Sequence, residues 1–402
     1  MNGEIIQLLS NLQDYLSQLT PSEPHELETL PILNQTADND RLLAMLSALI
    51  AEGSIHHSET WAAHMTPTIS ANSLLGHLIA GLHNGNLLSP QIYPILATIE
   101  QQTLDYLCTL FQQQYAHFIA GSSYANLEAL WQAKQQSSSL NIVYASRAAH
   151  YSIAKACQIL DLKLEYIDSN ESDQLLPEQL LKACNNKRPL AIVATAGTPT
   201  TGAIDPLNDC IAIAQQFNAW LHIDAAWGGG LVILSEYSSL FSKLSQADSI
   251  CFDPHKAWQQ PKPASVLLYQ QPLKPMFDIT IDYLESSPPN SLPGSRGGEL
   301  FLPLWLTLVG NGIHSLQQQI QSRLQQAQLF SKQLKQRTNW SVYPSSTGIV
   351  CFHLDGTADL TALVDEGIFS QATVSGDKVY RAVFADPTTK AAALITVLEP
   401  YF

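Results

Sequence analysis

The stretch Asp205-Pro206-Leu207-Asn208-Asp209-Cys210-Ile211-Ala212-Ile213-Ala214-Gln215-Gln216-Phe217-Asn218-Ala219-Trp220-Leu221-His222-Ile223-Asp224 contains the unit from which the fold is read. Asp205 is placed as a helix N-cap and Pro206 as the first helical residue, where a missing N–H costs nothing. A helical pattern then runs to Asn218, and Trp220–Ile223 is a short apolar run of strand length. The alternation extends from about residue 120 to 270. Its apolar runs are Asn141–Ala145, Leu164–Ile167, Leu190–Ala194, Trp220–Ile223, Ser249–Phe252 and Ser265–Tyr269, with helical patterns such as His150–Leu160 between most of them. Strands alternating with helices specify an α/β domain with a mostly parallel sheet. Open sheets of this kind bind ligands beyond the carboxyl ends of their strands.

Outside this core the chain reads as covering structure. Met1–Leu19 has apolar residues near the 3.6 period and is broken by Thr20-Pro21-Ser22-Glu23-Pro24. Further helices are expected over Asp40–Glu52 and Thr98–Phe111. The proline-rich stretch Ser286–Ser295 reads as a loop and a domain boundary. Leu300–Lys335 reads as a helix broken near Gly310–Gly312, and 339–402 as short strands and helices. The expected division is a helical segment over 1–75, an α/β large domain over 76–295, and a linking helix with a small α+β domain over 296–402.

Composition narrows the function. Of 402 residues, 46% are hydrophobic, enough for a large core, which excludes disorder and collagen-like or small disulfide scaffolds. Lys and Arg number 20 against 35 Asp and Glu, giving −15, and there is no basic block, so nucleic acid is not an expected partner. No apolar run approaches the roughly 20 residues of a membrane span. The start Met1-Asn2-Gly3-Glu4-Ile5-Ile6-Gln7 lacks the basic and apolar regions of a signal peptide. Cys108, Cys157, Cys184, Cys210, Cys251 and Cys351 show no CxxC spacing. They read as buried thiols in a reducing, cytoplasmic setting, with no metal site expected.

Four local signals carry chemistry. Asp253-Pro254-His255-Lys256 follows the run Ser249–Phe252, so the lysine stands at a buried strand's end, where desolvation lowers an amine's pKa and suits Schiff-base formation. His222-Ile223-Asp224-Ala225-Ala226-Trp227-Gly228-Gly229 closes a hydrophobic strand with an acid, which needs a partner such as a pyridinium N–H; a plain helix cap is the alternative. Gly121-Ser122-Ser123-Tyr124 leads small residues into a helix, an anion site by the helix-terminus rule or else an ordinary capping turn. His150 opens the helical pattern Tyr151–Leu160, where it could stack on a flat ring or serve as a core or capping residue. Phosphate turn, stacking histidine, strand-end acid and strand-end lysine together are the parts list for pyridoxal 5'-phosphate.

With these motifs the sequence resembles the group II pyridoxal-phosphate-dependent amino-acid decarboxylases. The resemblance spans roughly residues 60–402. It is most specific at HIDAAWGG (222–229) and ADSICFDPHK (247–256), with weaker matches at 118–134, 145–156, 194–206 and 294–306. It implies the fold-type I, aspartate-aminotransferase-like architecture and a homodimer with its site between subunits. It further implies that Lys256 carries the cofactor as a Schiff base and that Asp224 pairs with the pyridine nitrogen. By the same resemblance His150 and Ala226 lie against the ring, and Ser122 and Ser123 hold the phosphate with the backbone near His255. His255 neighbours the reacting Cα, and Arg381 takes the substrate α-carboxylate, a task suited to a guanidinium fork.

The chain departs from that family in three places. Pro199 stands where a hydroxyl residue is usual, leaving Thr195, Thr198 or Thr200 to supply the contact. The stretch between Lys256 and Gly294 is short, and Tyr283 is the tyrosine there that could protonate Cα, unless it is a packing residue; His255 is the other candidate donor. The family's paired-arginine pattern is reduced to Ser295-Arg296-Gly297. An L-amino-acid decarboxylase is the leading expectation. A pyridoxal-phosphate aldehyde synthase or other Cα-bond lyase, or a non-catalytic binding protein of the same fold, are the alternatives. The segments His64-Met65-Thr66-Pro67 and Leu82-His83-Asn84-Gly85-Asn86 resemble the substrate side of aspartate/glutamate-type members and lean the substrate toward an acid. The second cation an acidic substrate needs is not evident; Arg296 is one candidate.

Overall fold

The computed structural model describes residues 39–53, 58–137, 139–273, 291–343, 346–354, 359–374 and 376–402. The chain divides into two compact units, Met1–Ser58 and Glu59–Phe402. In the first, the described element is the helix Asn39–Gly53, matching the expectation for Asp40–Glu52. The helix expected over Met1–Leu19 lies outside the described residues.

The second unit is built on a seven-stranded sheet. Its strands are β1 (Tyr115–Ile119), β2 (Ile142–Ser146), β3 (Lys163–Ile167), β4 (Ala191–Thr195), β5 (Trp220–Asp224), β6 (Ser249–Phe252) and β7 (Ser265–Tyr269), in the order β1-β7-β6-β5-β4-β2-β3. β3, β2, β4, β5 and β6 run parallel, whereas β7 is antiparallel to both β6 and β1. Each of the six apolar runs became a strand. β4, β6 and β7 are buried along their whole length, as strands covered on both faces must be. β1 was not among those runs: it is an edge strand buried only over Phe118 and Ile119, so no continuous apolar run marks it.

Helices Ser122–Gln136, Tyr151–Ile159, Pro177–Asn186 and Leu207–Phe217 connect the strands. The expected N-cap at Asp205 is corrected: Pro206 takes that position, with no side-chain cap bond. Asp205 turns inward instead, accepting from Leu175 N at 2.8 Å and Thr195 N at 2.7 Å. Burial pushes its carboxyl up to about 7. It thereby ties the end of β4 to the loop before Pro177.

The helix expected from Thr98 begins earlier, with Pro94 at its first position. Leu302–Lys335 is helical, and the break expected near Gly310–Gly312 falls at Gly312, with φ 75° and ψ 156°. The helix Ala71–His83, capped by Ser70, was not among the expected helices; it buries Ser73, Gly76 and Ala80 and leaves the stripe Leu74, Leu75, Leu78, Ile79 and Leu82 exposed. Gly76 lets it meet the long helix closely: a Cβ there would lie 2.6 Å from Pro303 Cα. A second, antiparallel sheet holds β8 (Trp340–Val342), β9 (Ile349–Leu354), β10 (Ser370–Val374) and β11 (Asp377–Val383) in the order β10-β11-β9-β8. Its core gathers Phe330, Phe352, Phe369 and Phe384. All six cysteines are free, and all but Cys108 are buried. No described helix is long and apolar enough to cross a membrane.

Candidate active site

β4, β5 and β6 end side by side, with Thr195 paired to Asp224 and Asp224 to Cys251 in register. This brings the strand-end acid and the strand-end lysine side by side. Past β6 the chain makes the short helix Pro254–Ala257, and Lys256 turns back so that its Nζ lies 2.8 Å from Asp253 Oδ2. Burial pulls the Lys256 ammonium toward a lower pKa, but the Asp253 carboxylate outweighs it and the net shift is upward. That corrects the expectation of a lowered amine: the reading weighed desolvation alone and not the carboxylate three residues before it. Asp253 is itself wholly buried; burial raises its pKa, but Lys256 and His255 hold it below the usual carboxylate value. It also accepts from Ser122 Oγ at 2.7 Å and from Ser265 Oγ.

Asp224 sits at the head of a buried polar chain. Its Oδ1 accepts from Ala226 N at 3.1 Å and its Oδ2 from Asn126 Nδ2 at 3.0 Å. Asn126 Oδ1 accepts from His222 Nε2 at 2.8 Å, and His222 Nδ1 accepts from Ser249 Oγ at 2.9 Å. Burial lowers His222 to about 4, so the ring is neutral with its proton on Nε2. Asn126 escaped the sequence reading, although it lies inside the Gly121-Ser122-Ser123 motif's helix and on the helix face turned toward β5.

A cavity of about 640 Å³ opens over these strand ends. Of the sequence-derived candidates, Ser122, His150, Thr195, Asp224, Ala226, His255, Lys256 and Arg381 line it. Ser123 is exposed and does not. Tyr283 lies outside the described residues. His150 both lines the cavity and caps the helix Tyr151–Ile159, its Nδ1 accepting from Ser152 N at 3.3 Å; burial lowers its pKa. His255 donates from Nδ1 to Ala264 O at 2.6 Å, its Nε2 lies 3.7 Å from Asp253, and burial lowers its pKa as well. Arg381, on β11, donates to Thr200 O at 2.9 Å, Ala63 O at 3.2 Å and Ser370 Oγ at 3.1 Å, and no described carboxylate pairs with it. Arg296 is removed as a second cation for the substrate, since its fork is bound bidentately by Glu100 at 3.0 Å. His64, Met65, Thr66 and Lys262 complete the wall away from the strands. Lys262 gave no signal, being a single lysine in a proline-flanked loop.

The residues present fit pyridoxal phosphate. Thr195 Oγ1 is buried in the cavity wall with no hydrogen-bond partner among the described residues, next to Asp224. Such an orphaned hydroxyl costs free energy unless a ligand satisfies it. Lys256 is the amine for the cofactor's aldehyde, Asp224 the acid for its ring nitrogen, and His150 and Ala226 are available to the ring. The Ser122 hydroxyl proton is committed to Asp253. That leaves the start of the helix Ser122–Gln136, which has no side-chain cap bond, as the phosphate end.

Comparison with known proteins bears on the same site. The pyridoxal-dependent decarboxylase conserved domain matches residues 24–355. An aromatic-L-amino-acid decarboxylase of Bacillus atrophaeus is 29% identical over 58% of this chain and 54% of its own length. A probable L-tyrosine/L-aspartate decarboxylase of Methanocella arvoryzae is 31% identical over 54% of this chain and 59% of its own length. The chain thus spans little more than half the length of these curated relatives. The crystal structure of Oryza sativa TDC with PLP and tryptamine superposes with a TM-score of 0.88 at 22% identity, covering 100% of this chain and 97% of that one, and shows the same fold-type I architecture. Pyridoxal phosphate is the cofactor of the family whose conserved domain covers most of this sequence, and the chain belongs to that pyridoxal-dependent decarboxylase family.

Proposed function

We propose that this chain is a pyridoxal-phosphate-dependent L-amino-acid decarboxylase that releases CO2 and an amine, acts on an acidic amino acid, and works as a cytoplasmic homodimer. One observation carries the reading: Lys256, Asp224 and Arg381 face a single cavity. The acidic preference is supported by Lys262 and Arg381, which line the cavity with no carboxylate paired to either among the described residues.

When bound, the cofactor supplies the electron sink for the pair left behind as CO2 departs. The chain's own residues do the rest. Asp224, fixed by Ala226 N and Asn126, keeps a proton on the ring nitrogen. Arg381 exchanges carbonyl partners for the substrate α-carboxylate and so fixes which bond at Cα is held for cleavage. His255 has its Nδ1 proton committed to Ala264 O, so it can deliver a proton to Cα only after taking one up at Nε2, next to Asp253. Tyr283 is the other proposed donor. Ser122 and Ser123 remain proposed phosphate contacts, Ser123 through the helix start rather than the cavity wall.

The homodimer is supported by the exposed apolar face of the helix Ala71–His83 with Ile92 and Ile95 beyond it, an area a second copy would cover. A panel of L-amino acids tested for CO2 and amine release, with aldehyde and peroxide measured in parallel, decides the reaction. CO2 and amine in equal amounts are expected. Stoichiometric aldehyde and peroxide would replace the decarboxylase reading with an aldehyde synthase.

A further inference from the structure

Lys262 lies in the loop between the Lys256 turn and β7, and its side chain reaches the cavity. Its ammonium donates to Thr66 Oγ1 at 2.7 Å, and no carboxylate pairs with it among the described residues. Burial and the neighbouring Lys256 ammonium pull its pKa below the ordinary lysine value. His64 feels both Lys262 and Arg381, which lower its pKa after burial has done so. Two side-chain cations therefore face one stretch of cavity wall, and no carboxylate among the described residues is paired with either.

Lys262 is exposed and Arg381 is buried, and two like charges on one wall repel each other but together favour an anion. The anion could be the cofactor's phosphate or a substrate carboxylate. The phosphate end is the start of the helix at Ser122. Lys262 instead grips Thr66, in the short segment whose Ala63 carbonyl holds Arg381 at 3.2 Å. Lys262 and Arg381 thus flank residues 63–66 together, which sets Lys262 at the substrate end.

We propose that Lys262 is the specificity-determining residue of this site, receiving the side-chain carboxylate of an acidic L-amino acid while Arg381 holds its α-carboxylate, with the Thr66 hydroxyl as a second donor. This rests on the decarboxylase reading above. Lys262→Met and Lys262→Arg, prepared as full chains loaded with cofactor, are compared with the parent on L-aspartate and L-glutamate against L-asparagine and L-glutamine. Lys262→Met should lower the kcat/KM preference for the acid over its amide by roughly tenfold, mostly through KM, as loss of a partly exposed charge partner does. Lys262→Arg should restore most of it. An equal loss on acids and amides, or no loss, would overturn the assignment. So would poorer cofactor retention by visible-edge absorbance, which would hand Lys262 to the phosphate.

A parent that releases CO2 from no amino acid would sink the decarboxylase reading without deciding the role of Lys262. Calorimetric titration with succinate then decides it. Binding weakened at least tenfold by Lys262→Met supports a carboxylate site, and unchanged binding or no binding to the parent refutes it.

Discussion

Asp253 accepts hydrogen bonds from Ser122, Ser265 and Lys256 at once, and it explains why a lysine buried at a strand end remains an ammonium. Lys256 itself was legible in the sequence because a reactive amine needs a fixed, shielded position and Asp253-Pro254-His255-Lys256 supplies one. Its charge state was not read, although Asp253 stands in the same motif, because only the fold shows that the carboxylate turns onto the ammonium. Lys256→Ala is expected to abolish the visible-edge absorbance of the loaded protein and nearly all turnover; a variant that keeps both would unseat it.

The Asp253–Lys256 pair also makes a pH prediction for the cofactor-free protein. The Lys256 pKa is raised, so its contribution to stability is present below about 10.4 and is lost as pH climbs through the folded value. The Asp253 pKa is lowered, so its contribution is present above about 3.9 and is lost as pH falls through the folded value. The pair should stabilise across the neutral range and fail at both ends. Asp253→Asn, which strands a buried ammonium, should lose about 3–5 kcal/mol in denaturant melts near pH 7 and flatten both limbs.

Among the elements, the strands were the readable part, since a strand buried on both faces needs a continuous apolar run and each such run was one. The edge strand β1 lacks a continuous apolar run, the helix Ala71–His83 went unassigned although its apolar residues recur every four positions, and Asp205 was misplaced because a cap and an inward tie share one residue type. The polar chain His222–Asn126–Asp224 crosses β5 and the helix Ser122–Gln136, so pattern within either element could not expose it. Its pH behaviour is testable. With His222 lowered to about 4 against roughly 6.5 unfolded, the folded form resists a proton that the unfolded chain takes. Stability should be full above roughly pH 6.5 and fall as pH drops toward 4, by about 3 kcal/mol from this residue. Thermal melts of His222→Gln should show a shallower decline over that interval, and an unchanged slope would mean the ring is not held neutral.

The loops after β4 and β5 are held against each other by glycine. Gly228 N donates to Ala196 O at 2.9 Å, and a Cβ on Gly228 would lie 2.3 Å from that oxygen. Gly228→Ala should therefore push backbone apart beside Asp224 and destabilise the fold by several kcal/mol, read as a lowered melting temperature and weaker cofactor retention.

For the whole molecule, composition was informative mostly by exclusion. The proposed pairing of copies is argued from a surface that composition cannot show. Leu74, Leu75, Leu78, Ile79 and Leu82 are each between 42% and 47% exposed along one helix, an apolar stripe of the kind that marks interaction surfaces. Sedimentation of the parent should give twice the chain mass, and Leu78→Glu with Leu82→Glu should give single chains. A parent that sediments as a monomer at micromolar concentration would end the homodimer proposal.

The cavity wall has two origins. Thr195, Asp224 and Lys256 come from the ends of hydrogen-bonded strands or the turn next to them, while His64, Met65, Thr66, Pro199 and Lys262 come from connecting chain. On the proposed reading, rigid parts hold the groups any substrate would use, and replaceable parts hold those that tell one side chain from another. A lineage carrying this scaffold can thus drift from one diet of amino acids to another by altering a few linker positions, its reaction intact throughout.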